Sequence, residues 1–254
     1  MKKMKKTAAV IHAHPDDAEA WCGGTLFLLS KRGFTIHIAT TTSGGLGGMR
    51  TDRQETIRLR RNEAVEAAAK LGADYHCFNQ EDGYLFDSPD IRIAVTEWLR
   101  KVSADIVITH HPQDYHSDHR TTAGIVEAAV MTVTLPNVPC AGAPLEKTPV
   151  LYHSTPMKLT DPVGTPLADP DFYMVISSVI EDKIEMLRCH ASQIELMKAM
   201  QDVDDFFEQV RSYSSSLGEK AGITFAECFW QHTGGGFPQI PVLQQELREF
   251  VRNK

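Results

Sequence analysis

Two short stretches carry residues that could do chemistry together. The first is His14-Pro15-Asp16-Asp17, an imidazole followed by two adjacent carboxylates. The second is His110-His111-Pro112-Gln113-Asp114-Tyr115-His116-Ser117-Asp118-His119. It packs four histidines and two aspartates into ten residues of a chain with 11 histidines in 254. His nitrogen and Asp oxygen are common ligands of divalent metals, and three of them with a position left open make a catalytic centre. His116 and His119 stand three apart, so one helical turn would bring them to a common face. Helix capping alone would account for the Asp pair, but for neither His14 nor the second cluster.

The elements flanking these stretches must bring them together. Thr7-Ala8-Ala9-Val10-Ile11 is an apolar run that reads as a buried strand, and Asp105-Ile106-Val107-Ile108-Thr109 reads the same way. Each is followed by its His/Asp stretch and then by a helix. Pro15 suits the first helical position, Asp16 and Asp17 suit the first turn, and a second helix is predicted over Arg120 to Val133. Between them lie a strand over Phe34–Thr40, a helix over 53–71 stopped by Gly72, a strand over Asp74–Phe78 and a helix over Ile91–Val102. Strand and helix thus alternate four times in the first 133 residues, which predicts an α/β fold with a mostly parallel, Rossmann-like sheet covered on both faces. In such sheets the crevice at the carboxyl ends of the strands is the ligand site, and both clusters would fall there.

The glycine-rich Ser43-Gly44-Gly45-Leu46-Gly47-Gly48-Met49-Arg50 follows the second strand. Its spacing matches neither the dinucleotide fingerprint nor the P-loop, so a loop bordering the site is expected rather than a nucleotide cradle. The second half is less regular. Residues 135–149 and 155–170 read as long loops that could wall a substrate pocket. Strands are expected over Val150–His153 and Phe172–Ile176, and helices over 179–200, 203–213 and the last dozen residues.

Composition narrows the function classes. With 42% hydrophobic and 23% charged residues this is an ordinary globular chain, read as one domain over 1–254. A net charge of −7 argues against a nucleic-acid partner and against anionic membrane surfaces. The basic Met1–Lys6 stretch mimics the start of a signal peptide, but His12 and His14 break the apolar run behind it too early for export. No stretch approaches a membrane span. The five cysteines are scattered and without a C-x-x-C pair, which fits free thiols in a reducing cytoplasm.

With both motifs placed, the chain resembles the LmbE-like, or PIG-L, superfamily of zinc-dependent N-acetylglucosamine deacetylases. The A-H-P-D-D signature with its later G-G pair is met by Ala13 to Asp17 and by Gly23-Gly24, and H-x-x-D-H by His116 to His119. Weaker echoes are Arg60 with Glu63, Asp82-Gly83, and His190-Ala191-Ser192-Gln193. Two positions depart from the pattern: Ala18 follows the Asp pair where an acid is common, and Gly45 stands where the glycine loop often has Glu. The resemblance implies that His14, Asp17 and His119 bind one zinc ion. It implies Asp16 as general base, His116 as oxyanion stabiliser and acid, and Asp118 as the group orienting a histidine. Arg60 and His190 would contact substrate.

The implied activity is removal of acetyl from an N-acetylglucosamine-type conjugate by Asp16-assisted attack of a metal-bound water. The small-molecule partner would be an amino-sugar conjugate, and a homo-oligomer stays open. Iron or manganese could replace zinc, since two His and one carboxylate serve them too. Another metal-dependent amidase or esterase, or a non-catalytic metal-dependent sugar-binding protein, are the rival readings. His12, His110 and His111 are expected in structural or supporting roles.

Overall fold

The computed structural model describes residues 5–201 and 205–253. Its backbone is one eight-stranded sheet in the order β3-β2-β1-β4-β5-β7-β6-β8. β1 (Thr7–His12) is buried along its whole length and pairs in parallel with β2 (Thr35–Thr42) on one side and β4 (Ile106–Thr109) on the other. A strand hydrogen-bonded on both edges and covered on both faces needs a continuous apolar run, which is what its residues supply. β3 (Asp74–Gln80) and β5 (Val150–Ser154) extend the parallel part, and β6 (Phe172–Val175), β7 (Ala226–Gln231) and β8 (Val251–Arg252) add an antiparallel edge. The sheet is thus mostly parallel, as the alternation of elements predicts.

Helices cover both faces. Ala8 and Val10 point toward a core shared with Leu26 and Leu29 of α1 (Asp17–Lys31) and Ala67 and Ala68 of α2 (Arg53–Ala69). Ala9 and Ile11 point the other way, into a core with Val95 and Leu99 of α3 (Pro89–Val102) and Ile125 and Val126 of α4 (Ser117–Thr132). The chain moves outward from β1 to β2 and β3, then returns across to β4. The switch point therefore falls between β1 and β4, the two strands that lead into the His/Asp stretches.

The second half departs from the sequence expectations in five places. The helix expected over 179–200 is two, α5 (Ile180–Leu187) and α6 (Ser192–Gln201). The break holds His190 buried beside Glu19 at 3.2 Å, and Glu63 accepts both the backbone N–H and the hydroxyl of Ser192 to start the new helix. The helix expected over 203–213 is α7 (Phe206–Lys220), capped by Asp205, while 203 and 204 lie outside the described residues. The C-terminal stretch holds only the five-residue α8 (Val242–Glu246), a 3-10 turn and β8. β7 has no counterpart in the sequence reading, because its buried Glu227 interrupts the apolar pattern. That carboxylate is satisfied by Lys183 Nζ at 2.8 Å and by the N–H groups of Gly24 and Thr25 at 2.9 and 2.8 Å. Gly24 is required there, since a Cβ would stand 2.7 Å from Ile176.

The 135–149 loop is not part of the pocket wall. Arg100 in α3 donates to the carbonyls of Val133, Leu135 and Gly142 and so clamps the loop against α3, between the end of α4 and the start of β5. That is the amino edge of the parallel strands, opposite the His/Asp clusters.

Candidate active site

The turn from β1 into α1 sets the first half of the site. Asp16, just before α1, has φ 106°, a left-handed backbone conformation that a non-glycine residue holds only when its surroundings enforce it. Arg60 of α2 is part of that enforcement. Its guanidinium donates to the Pro15 carbonyl at 2.8 Å and the Gly44 carbonyl at 3.0 Å, and stands 3.6 Å from Asp16 Oδ1. It thereby ties the glycine loop to the His-Pro-Asp-Asp turn. Gly44 makes the approach possible, with φ 67° and a Cβ position only 2.5 Å from Arg60 Nη1. Burial pushes the Asp16 carboxyl up to about 7, against the opposing pull of Arg60.

The second half of the site begins at the end of β4. His116 caps α4, its Nδ1 accepting the Asp118 N–H at 3.2 Å, which leaves Nε2 to carry the proton of the neutral ring. One turn on, His119 Nε2 lies 3.3 Å from His14 Nδ1 and 3.4 Å from Asp17 Oδ2, and His14 Nδ1 lies 3.2 Å from that same oxygen. Three donor atoms therefore stand at the corners of a nearly equilateral triangle.

The triangle fits a metal ion. Ligand bonds of about 2.0–2.2 Å in a tetrahedral site place ligand atoms about 3.3–3.6 Å apart. The far side of each imidazole is held by a carboxylate, which fixes the nitrogen facing the centre as the unprotonated one. His119 Nδ1 is 3.0 Å from Asp114 Oδ1, and His14 Nε2 is 3.3 Å from Asp118 Oδ2 and 3.2 Å from Asp82 Oδ1. Asp17 is held in turn, its Oδ2 accepting the His14 N–H at 2.7 Å and its Oδ1 the Trp21 indole at 3.3 Å. Burial works against charging either ring, yet the surrounding carboxylates raise His14 well above the ordinary range and His119 to about 9. Such a cluster is short of positive charge. Other triads can be drawn among the described residues: His14 with His116 and His119, Asp17 with His110 and His119, or His14 with Asp82 and Asp118. In these, His116 Nδ1 accepts a backbone N–H, His110 Nε2 accepts the Ala13 N–H, and Asp118 accepts the Gly83 N–H at 2.7 Å.

These groups open into a cavity of about 320 Å3. His14, Asp16, Asp17, Arg60, His116 and His119 all line it. Asp118 reaches the site through His14. His190 does not line the cavity; it sits behind Asp16 and Arg60, fully buried against Glu19. The pocket residue of that motif is Gln193, three positions on, whose side-chain amide makes no hydrogen bond to another described residue. The 155–170 loop contributes Met157, and the glycine loop Leu46 and Gly47. Asp114 and Asp82 also went unassigned. Asp114 lay in plain view inside the second cluster, and its spacing of five from His119 was the available signal. The remaining histidines support the floor. His110 stacks on His119 with ring centroids 3.8 Å apart and accepts the Ala13 N–H at 2.8 Å. His12 meets Ser154 Oγ at 2.9 Å, and His111 packs edge-on against Trp230.

An open α/β sheet whose switch point gathers histidines and carboxylates around one cavity defines the class of protein. Residues 9–130 match the family described as PIG-L: GlcNAc-PI de-N-acetylase. A probable N-acetyl-alpha-D-glucosaminyl L-malate deacetylase 2 of Bacillus cereus is 27% identical over 76% of this chain and 86% of its own length. The structure of N,N'-diacetylchitobiose deacetylase from Pyrococcus horikoshii superposes with a TM-score of 0.78 at 25% identity, covering 94% of this chain and 88% of that one. A 4-oxalmesaconate hydratase of Pseudomonas putida is 25% identical over 77% of each chain. The match over residues 9–130 is a PIG-L (LmbE-like) family domain hit, and several of the homologues and structural neighbours are named deacetylases.

Proposed function

We propose that this chain is a zinc-dependent hydrolase that removes acetyl from an N-acetylglucosamine-type conjugate. The observation that carries the reading is the division of groups around one cavity. Three donor atoms 3.2–3.4 Å apart suit a metal, while Asp16 and His116 line the same cavity outside that set. A sugar-binding protein would need neither.

His14, Asp17 and His119 would hold the ion, with Asp114, Asp118 and Asp82 orienting the imidazoles. Bound there, zinc would act as a Lewis acid on the acetyl carbonyl and make water more acidic. Asp16 takes the proton of the attacking water as its oxygen bonds to the acetyl carbon. Its backbone conformation and the Arg60 contact keep the carboxylate in place. His116, whose neutral ring carries its proton on Nε2, donates a hydrogen bond from there to the developing oxyanion, and the proton held by Asp16 passes to the amide nitrogen as the C–N bond breaks. Acetate and the free amine leave. Arg60 and Gln193 would meet sugar hydroxyls or carbonyls.

Strands from both halves of the chain share one sheet, which supports one domain over 1–254. Among the described residues no helix is long and apolar enough to cross a membrane, and all five cysteines are free thiols. We take the enzyme to act in the cytoplasm on a small molecule.

The hydratase relative gives a second reading, water addition on the same centre. Its named substrate is a carboxylate, and such a ligand would call for cations. Among the described residues Arg60 is the one Lys or Arg side chain lining this cavity, and its two terminal nitrogens are already engaged by two carbonyls and Asp16. The test is acetate release, with matching free amine, from N-acetylglucosamine conjugates by protein of measured zinc content. Release that a chelator abolishes and zinc restores is expected. Zinc-loaded protein that frees no acetate but hydrates an unsaturated carboxylate would replace this reading with the second.

A further inference from the structure

Resting on the deacetylase reading, we propose that the substrate sugar carries an apolar aglycone, an aryl or alkyl group, and that the outer wall of the cavity binds it. The floor is polar, being made of His14, Asp17, His119 and the groups that orient them. The acyl group must reach that floor, so the far end of the sugar projects to the outer wall. That wall is built from Trp21, Leu46, Tyr115, Met157, Leu196 and Met197. Leu46 and Tyr115 are 52% and 39% exposed, so the apolar surface continues to the mouth.

Two further observations point the same way. The cavity does not end at this wall. A second hollow of about 600 Å3 shares Trp21 and Met157 with it and runs along α7 past Val210 and Tyr213, with Lys158, Gln209 and Ser212 at its polar side. At about 320 Å3 the inner cavity is near the lower limit for a small-molecule site, so a substituent on the sugar has its room in this adjoining hollow. The charge balance also disfavours an anionic aglycone. Asp16, Asp17 and Asp82 line the cavity, and Arg60 has its carbonyl and carboxylate partners within the protein. The glycine loop presents the Leu46 side chain to the cavity, with its N–H tied to Asp82 Oδ2 at 3.0 Å. Within the inner cavity a carboxylate would gain no counter-ion and would meet like charge; Lys158 of the adjoining hollow is the cation an anionic substituent would have to reach, and the malyl glycoside below tests whether it does.

The experiment compares methyl, hexyl and malyl N-acetylglucosaminides, and the N-hexanoyl analogue of the methyl glycoside, on zinc-loaded protein. Burial is worth roughly fourfold per methylene, discounted for incomplete contact. The hexyl glycoside should therefore exceed the methyl one by at least about tenfold in kcat/KM, mostly through KM, with the malyl glycoside below both. Leu196→Asp should bring the hexyl-to-methyl ratio near one, and Met157→Ser, a milder change that keeps the fold, should reduce it. A flat methyl-to-hexyl series with acetate still released overturns the aglycone proposal alone, as does a preference for the malyl or N-hexanoyl compound. If no glycoside yields acetate, the deacetylase reading fails, and calorimetric binding decides the rest. Hexyl glycoside binding more tightly than methyl retains the apolar subsite, and equal or weaker binding removes it.

Discussion

The floor and the outer wall of the cavity are built from different materials, and the contrast explains what each can do. The floor comes from turns that directly follow two adjacent central strands. Its imidazoles are each fixed by a carboxylate, its carboxylates by backbone N–H groups, and Asp16 by an enforced left-handed conformation. Nothing in it is free to adapt. The wall comes from α1, two loops, the turn before α4 and the middle of α6, and presents mostly thioether, aliphatic and aromatic surface. A rigid polar floor suits a fixed reaction; a wall of soft apolar groups sets only what the substrate carries.

The largest effect should come from removing a floor ligand. Asp17→Ala deletes the oxygen that closes the triangle with His14 and His119, so metal content by elemental analysis and acetate release should be lost together. Chelation of the unmodified protein should do the same, reversibly on adding zinc. If Asp17→Ala keeps a full complement of metal, the triangle is not the metal site, and the alternative around His116 becomes the better one.

Next come the groups that line the floor without belonging to the triangle. Asp16→Asn should retain metal and lose about 10²–10⁴-fold in kcat, the usual worth of a general base. His116→Ala should behave alike, with metal kept and turnover depressed. A metal-free Asp16→Asn protein, or one of full activity, would show that the two aspartates have been given each other's roles.

The same contrast explains what could be read from sequence. The floor was legible because its residues sit in two compact motifs, each at the end of an apolar strand run, and chain order alone puts those strand ends together. The wall was not. Gln193 and Leu196 reach the cavity from α6, which starts at a helix break by His190, and no periodicity announces that break, because Ile184, Leu187, Ile194 and Met197 keep helical spacing through it. β7 was missed because a buried Glu227 looks like a surface residue until Lys183 and the Gly24 and Thr25 amides are seen around it. The 135–149 loop looked like a pocket wall from its length alone, and only the Arg100 clamp shows that it belongs to the opposite edge.

A smaller effect should follow from loosening the floor without removing a ligand. Asp114→Asn keeps the shape beside His119 but removes the charge that supports its imidazole. Loss of such a supporting group typically weakens metal binding by about 10–100-fold. A zinc titration against a competing chelator reads this directly, and activity at saturating zinc should recover most of its value. An unchanged affinity would mean that Asp114 only packs against the ring.

The smallest effect belongs to the wall side, at Gln193. Gln193 is largely buried, lines the cavity, and its side-chain amide has no hydrogen-bond partner among the described residues, so a sugar hydroxyl is the natural group to satisfy it. A neutral hydrogen bond contributes about 0.5–1.5 kcal/mol net, which corresponds to roughly 2–10-fold in affinity. The contact would be made equally in the bound substrate and in the transition state, so Gln193→Ala should raise KM by that factor and leave kcat close to its starting value. His190→Ala is the control, three residues away and fully buried against Glu19. It should lower thermal stability, because Glu19 loses its partner, without the selective change in KM. If the two variants exchange these signatures, the sugar contact lies at the histidine after all, and the break between α5 and α6 positions a different residue from the one assigned here.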